Sequence, residues 1–178
     1  MLHPDIEEVL YSEEEISAVV KDLGAQLTKE YEGKNPLVIG VLKGAVMFMT
    51  DLSRAMACDL ELDFMDVSSY EGTESIGDIR IIKDLDTSIK GVDILLVEDI
   101  VDTGRTIQTV GRTLMHKGAN SVKIVTLLDK PSRREVEVVP DYIGFQVENE
   151  FVVGFGMDFN QKYRCLPYVG VLKDECYQ

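Results

Sequence analysis

Apolar and polar positions follow two different periods along this chain, and the periods alternate. Ile16, Val19, Val20, Leu23 and Leu27 recur at helical spacing. Ser12-Glu13-Glu14-Glu15 ahead of them has the form of a capping box, in which a Ser and the Glu three residues on satisfy each other's free backbone N–H groups. Gly33 and Pro36 close that segment. Leu37-Val38-Ile39-Gly40-Val41-Leu42 is an unbroken apolar run, as expected of a strand buried on both faces. A Lys43-Gly44 turn follows, then a helix predicted over 45–56 with Val46, Met49, Leu52 and Met56 inward. Leu60-Glu61-Leu62-Asp63-Phe64 alternates and predicts a strand with one wet face. Residues 68–78, rich in small polar residues, read as a loop and a candidate lid, and Ile79-Arg80-Ile81-Ile82 as a short strand.

The second half continues the alternation. Val92-Asp93-Ile94-Leu95-Leu96-Val97 predicts a buried strand. Ile107, Val110, Leu114 and Met115 place a helix over 107–117, with Gly118 positioned to end it. Residues 122–128 predict another strand that stops at Asp129-Lys130. A polar stretch to Pro140 and short strands at 142–145, 151–154 and 168–172 complete the chain. Strands alternating with helices predict an α/β fold with a mainly parallel central sheet flanked by helices. No repeat, low-complexity segment or linker divides the sequence, so one domain is expected.

Composition narrows the function classes. At 178 residues, 45% hydrophobic and 28% charged, the chain has the make-up of a globular protein with a full core. Its formal net charge of −14 argues against a broad nucleic-acid-binding face, which needs a Lys/Arg stripe. It leaves room for a small polyanion, because local N–H groups, a few cations and a metal ion outweigh a distant net charge. The acidic first residues lack the apolar core of a signal peptide, and no apolar run is long enough to span a membrane. Cys58, Cys165 and Cys176 are odd in number and lack metal-ligand spacing, so reduced thiols and a cytoplasmic setting are expected.

The candidate chemistry concentrates at Glu98-Asp99-Ile100-Val101-Asp102-Thr103-Gly104-Arg105-Thr106. Two acids end a strand, and a third acid with a Thr-Gly-Arg-Thr turn opens a helix. Open α/β sheets bind ligands at this edge. A helix N-terminus offers unpaired N–H groups and a positive dipole end to a phosphate. The acids can serve sugar hydroxyls, Mg²⁺ or a proton, so the stretch suits a sugar phosphate with a metal. The plainer reading, solvated loop acids ahead of an ordinary helix start, accounts less well for three acids and this turn together. Gly154-Phe155-Gly156 is half of a dinucleotide fingerprint whose third Gly is replaced by Phe159, and 40–44 is not a Walker loop. His116, near the end of a helix, reads as favoured by the dipole rather than as catalytic.

The same stretch strongly resembles the ribose-phosphate motif of the type I phosphoribosyltransferases, and its Val-Glu-Asp-Ile-Val-Asp-Thr-Gly-Arg-Thr form resembles the hypoxanthine-guanine branch. Val41-Leu42-Lys43-Gly44, Ser68-Ser69-Tyr70 and residues 151–160 match other motifs of that family in order, over roughly residues 10–172. The resemblance implies the family's fold, with a small hood formed from the N- and C-terminal segments and a flexible lid. It also implies transfer of the phosphoribosyl group of 5-phosphoribosyl-1-pyrophosphate (PRPP) to N9 of a purine.

Carried over residue by residue, the resemblance implies these roles. Asp102, Thr103, Gly104, Arg105 and Thr106 take the 5′-phosphate. Glu98 and Asp99 hold the ribose hydroxyls, directly or through Mg²⁺. Asp102 acts as general base toward N7. Lys43, Gly44 and Arg164 reach pyrophosphate, and family members often hold the peptide before this Lys in cis. Lys130, Phe151, Val152 and Asp158 form the base pocket, with Lys130 donating to O6, Phe151 stacking and Asp158 taking a second Mg²⁺. Ser69 and Tyr70 belong to the lid. A homodimer or homotetramer is implied as well. Two alternatives are a preference for xanthine, since the 2-position is under-determined, and a nucleotide-sensing regulator of RNA on the same scaffold, which the negative charge disfavours.

Overall fold

The computed structural model describes residues 2–69 and 79–178. Tyr70 and the rest of the expected lid, to Asp78, lie outside the described residues. Two sheets are present. Six strands, β2 (Leu37–Leu42), β3 (Glu61–Ser69), β4 (Ile79–Lys83), β5 (Asp93–Val101), β6 (Ser121–Asp129) and β7 (Tyr142–Gln146), form one sheet in the order β4-β3-β2-β5-β6-β7. All its neighbours are parallel except β3 and β4. The other sheet is antiparallel and orders β1 (Ile6–Tyr11), β9 (Val169–Leu172) and β8 (Val152–Val153).

Period-two alternation on β5 sorts the core. Leu95 and Val97 face the side covered by α1 (Glu13–Glu30) and α2 (Val46–Ala55), while Ile94 and Leu96 face α3 (Arg105–His116). The capping box that opens α1 is present, with Ser12 Oγ accepting from Glu15 N and Glu15 Oε2 accepting from Ser12 N. Gly24 lets α1 and α2 cross closely, since a Cβ there would fall 2.6 Å from that of Ala55. Ile107, Val110 and Leu114 are buried from α3, and Gly118 follows the helix with φ 97°.

Five expectations are corrected. β1 was not anticipated: its Ile-Glu-Glu-Val-Leu-Tyr sequence buries Ile6 but exposes Val9, which masks the period of a strand. On β3 the expected wet face is inverted. Leu62 is 54% exposed and Asp63 only 7%, because the Asp63 carboxylate accepts from Phe64 N, Asp86 N and Lys83 Nζ. β3 also continues through Ser68 and Ser69, paired with Arg80 and Ile79, where a loop was expected. In α2 the fully buried ring is Phe48, and Val46 is half-buried, because Ala45 caps the helix and turns the first residue away. Met115 is 49% exposed and lies off the buried stripe of α3.

The sheet order places the site. After β2 the chain moves outward to β3 and β4, and after β5 it moves outward the other way to β6 and β7. The carboxyl ends of β2 and β5 therefore diverge, and that switch point is where open α/β sheets leave a crevice. No described helix is long and apolar enough to cross a membrane.

Candidate active site

Residues from three separate segments close on one another at this switch point. β2 ends in Leu42-Lys43, whose peptide is cis, and the turn brings Gly44 against β5. A Cβ on Gly44 would fall 1.9 Å from Asp99 Oδ2, and one on Gly156 would fall 2.0 Å from the Gly44 carbonyl oxygen. Only glycine fits at either point, and Gly156 also holds φ 101°. Lys43 itself is exposed.

β5 is longer than predicted and carries the acid pair on its last turns of strand rather than beyond it. Glu98 is buried. Burial, with the adjoining Asp99 carboxylate, pushes Glu98 well above the usual carboxylate range. Burial also raises Asp99, partly opposed by the N–H of Ile100, which donates to its Oδ1 at 2.8 Å. The site's arginines pair elsewhere: Arg133 with Asp102, Arg134 with Asp129 and Arg164 with Asp158. Two adjoining acids, Glu98 buried and Asp99 half-buried, neither in an ion pair among the described residues, form a donor set suited to a hard divalent cation that completes its shell with substrate oxygens.

Beyond β5 the chain turns at Gly104, φ 84°, into α3, which has no side-chain cap. Glu98, Asp102, Thr103, Gly104 and Thr106 line a cavity of about 220 Å³ at this helix N-terminus. The N–H groups of a helix N-terminus and the two Thr hydroxyls are donors that could receive an anion. The Arg105 side chain is not brought to the cavity wall: its Nε pairs with Glu135 Oε2 at 2.5 Å. Asp102 lies between this cavity and the next. Its Oδ1 is 2.9 Å from Arg133 Nε but receives no aligned hydrogen bond.

The second cavity, about 520 Å³, is lined by Asp99, Asp102, Lys130, Phe151, Val152 and Asp158, among others. Lys130 leaves β6 buried, and its Nζ donates to the Glu150 carbonyl at 2.5 Å. Burial lowers the affinity of Lys130 for its proton, and nearby Asp102 opposes that. Phe151 keeps 37% of its surface exposed at the cavity. Asp158 accepts from Gln161 N and pairs with Arg164, whose other nitrogen donates to the Gly156 carbonyl at 2.7 Å. Thus every expected residue of the base pocket reaches one cavity. Ser69 ends β3, and Tyr70 lies outside the described residues.

The sequence reading missed Arg133, Arg134 and Tyr177. Arg134 anchors the turn that leads from β5 into α3. It pairs with the buried Asp129 carboxylate, donates to the Asp102 carbonyl at 2.8 Å, and lays its Cδ where a Cβ on Gly104 would stand. The one available signal was the Asp-Lys pair at a strand end followed by two arginines, which looks like an ordinary solvated loop.

An acid pair at a sheet switch point, an anion cavity at a helix N-terminus and a base-sized cavity sharing one Asp define a nucleotide-handling α/β transferase. The chain belongs to the phosphoribosyl transferase domain family, which matches residues 8–160. It is 61% identical to the hypoxanthine-guanine phosphoribosyltransferase of Lactococcus lactis subsp. lactis over 97% of this chain and 94% of that one. It is 55% identical to the bifunctional protein TilS/HprT of Listeria monocytogenes over 99% of this chain, which spans only 27% of that relative. A crystal structure of a hypoxanthine phosphoribosyltransferase from Staphylococcus aureus superposes with a TM-score of 0.96 at 50% identity, covering 99% and 96% of the two chains.

Proposed function

We infer that the chain salvages purines by transferring the 5-phosphoribosyl group of PRPP to N9 of hypoxanthine or guanine, giving IMP or GMP and pyrophosphate. The observation that carries this reading is Asp102, which borders both the helix N-terminal cavity and the cavity holding Lys130 and Phe151. A sugar phosphate bound in one cavity and a purine in the other meet at that residue.

Thr103, Gly104, Arg105 and Thr106 bind the 5′-phosphate, chiefly by backbone N–H groups and hydroxyls, since the Arg105 side chain is turned to Glu135. Glu98 and Asp99 hold the ribose hydroxyls and a Mg²⁺ ion. When bound, Mg²⁺ neutralises charge on the leaving pyrophosphate. Lys43 and Gly44 receive pyrophosphate at the end of β2. Arg164, here paired with Asp158, would also reach pyrophosphate, and Asp158 would hold a second Mg²⁺. Lys130, beside its bond to the Glu150 carbonyl, donates to O6; adenine presents a 6-amino donor there, so two donors would face each other. Phe151 stacks on the ring and Val152 reads its edge from the backbone. As the C1′–O bond to pyrophosphate breaks and the N9–C1′ bond forms, Asp102 accepts the proton from N7. C1′ gains cationic character that water would intercept. Closing over it is the role assigned to the segment with Ser69 and Tyr70. A cytoplasmic setting and a homodimer or homotetramer belong to the same reading.

The test is nucleotide formation from PRPP and Mg²⁺ with hypoxanthine, guanine, xanthine, adenine and uracil in parallel. Turnover of hypoxanthine or guanine, and far slower turnover of adenine or uracil, is expected. Turnover of xanthine alone would reassign the base, and nucleotide binding without turnover of any base would favour a sensor.

A further inference from the structure

We propose that Tyr177 is a positioning residue of the purine site: it fixes the plane of Phe151, the ring on which the base stacks. The proposal rests on the reading of that cavity as the purine site. The Tyr177 ring lies on Phe151 with centroids 4.5 Å apart and planes 17° apart. Phe159 closes on both edge-on, 5.5 Å from Phe151 at 88° and 6.4 Å from Tyr177 at 71°. Tyr177 also lines the same cavity as Lys130, Asp102 and Ile100. With Tyr177 against one face of Phe151, the other face is left for a planar base.

Tyr177 is itself held. Its hydroxyl donates to Asp174 Oδ1 at 2.5 Å and its N–H to the Asp174 carbonyl at 3.2 Å. The segment that carries it follows β9, and β9 is tied to the Phe151 segment: Leu172 N donates to the Phe151 carbonyl at 2.9 Å, and Val171 pairs with Val152. The stacking ring and its support therefore move as one unit of the small sheet. This matters because Phe151 is 37% exposed and precedes a strand of two residues. A ring so placed is free to change rotamer unless something lies on it, and a stacking surface assists binding only when its plane is set beforehand.

The test compares Tyr177→Ala with Tyr177→Phe in steady-state assays of the whole chain. Tyr177→Ala should raise KM for hypoxanthine and guanine about three- to tenfold, the loss expected of one aromatic pair. Its KM for PRPP and its kcat should stay near wild type. Tyr177→Phe keeps the ring and should restore the base KM. A second readout is independent of activity. The sequence has no Trp, so Tyr177→Trp places a single fluorophore on Phe151, and saturating IMP should change its emission. An unchanged base KM in Tyr177→Ala, an equal rise in KM for PRPP, or emission indifferent to IMP would each overturn the proposal. Absence of turnover in the wild-type chain would instead overturn the functional reading beneath it.

Discussion

At the phosphate end of the site, one uninterrupted stretch from Glu98 to Thr106 supplies the acids, the turn and the helix N-terminus. At the base end the work is divided among Lys130 after β6, Phe151 and Val152 at β8, and Asp158 and Tyr177 in the segments around β9. On the proposed reading the first end would bind with backbone N–H groups, at a turn whose Gly104 holds φ 84°. The second would bind with side chains, and selectivity would depend on which atoms those side chains present. A backbone cradle suits a group common to every substrate of a family, and side chains suit the part that differs. Asp102 is the joint: Arg134 donates to its carbonyl, and the residue lines both cavities.

Substitutions should separate the two ends. The largest effect belongs to the joint. Asp102→Asn should lower kcat by roughly 10²–10⁴ while the PRPP dissociation constant stays within a few-fold, because the phosphate contacts remain; near-normal turnover would remove Asp102 as the base. Next is Gly104→Ala. It forces an L side chain to φ 84° and sets a Cβ 2.5 Å from Val138 Cγ1, so PRPP affinity read by calorimetry should fall by one to two orders of magnitude, about 1.4 kcal/mol each.

Arg134→Met should cost about 3–5 kcal/mol in denaturant unfolding, because it leaves the buried Asp129 carboxylate without its partner. Adding Asp129→Asn should recover most of that stability but not the PRPP KM, since the hold on the Asp102 carbonyl is still gone.

The smallest effect lies outside both ends and concerns a buried acid of opposite character to Glu98. Burial pushes Asp63 up, but the N–H groups of Asp86 and Phe64 and the Lys83 ammonium more than reverse it, so its folded value lies below the ordinary 3.8. A lowered folded pKa means that the unfolded chain binds more protons, so stability rises with pH through this window. The contribution is full above about pH 3.8 and is lost as pH falls through the folded value. Asp63→Asn should therefore flatten the acid limb of a Tm-against-pH curve. An unchanged limb would show that Lys83 and the two N–H groups do not favour the ionised form.

The same contrast explains what could be read from the sequence. The phosphate end was legible because it is contiguous and its residue types sit between a strand run and a helical stripe. The base end was legible only through resemblance, since periodicity places Lys130 at the end of one strand and Phe151 on another but says nothing of their meeting in one cavity. Arg134 and Tyr177 carried no local signal. One looks like a loop charge and the other like a lone aromatic, and each gains a role only from contacts with residues distant in the chain. β1 and the inverted face of β3 failed for a related reason: acids are satisfied or tolerated there by tertiary partners, which a pattern of apolar positions does not contain.

The central claim is that common-group binding and base selection are separate, and the most direct measurement is the ratio of kcat/KM for hypoxanthine to that for adenine in wild type, Gly104→Ala and Lys130→Ala. The ratio should survive Gly104→Ala, which weakens both substrates' reactions through PRPP alone. It should collapse in Lys130→Ala, where the O6 donor is gone. A ratio unchanged in Lys130→Ala would place base selection elsewhere and contradict the account.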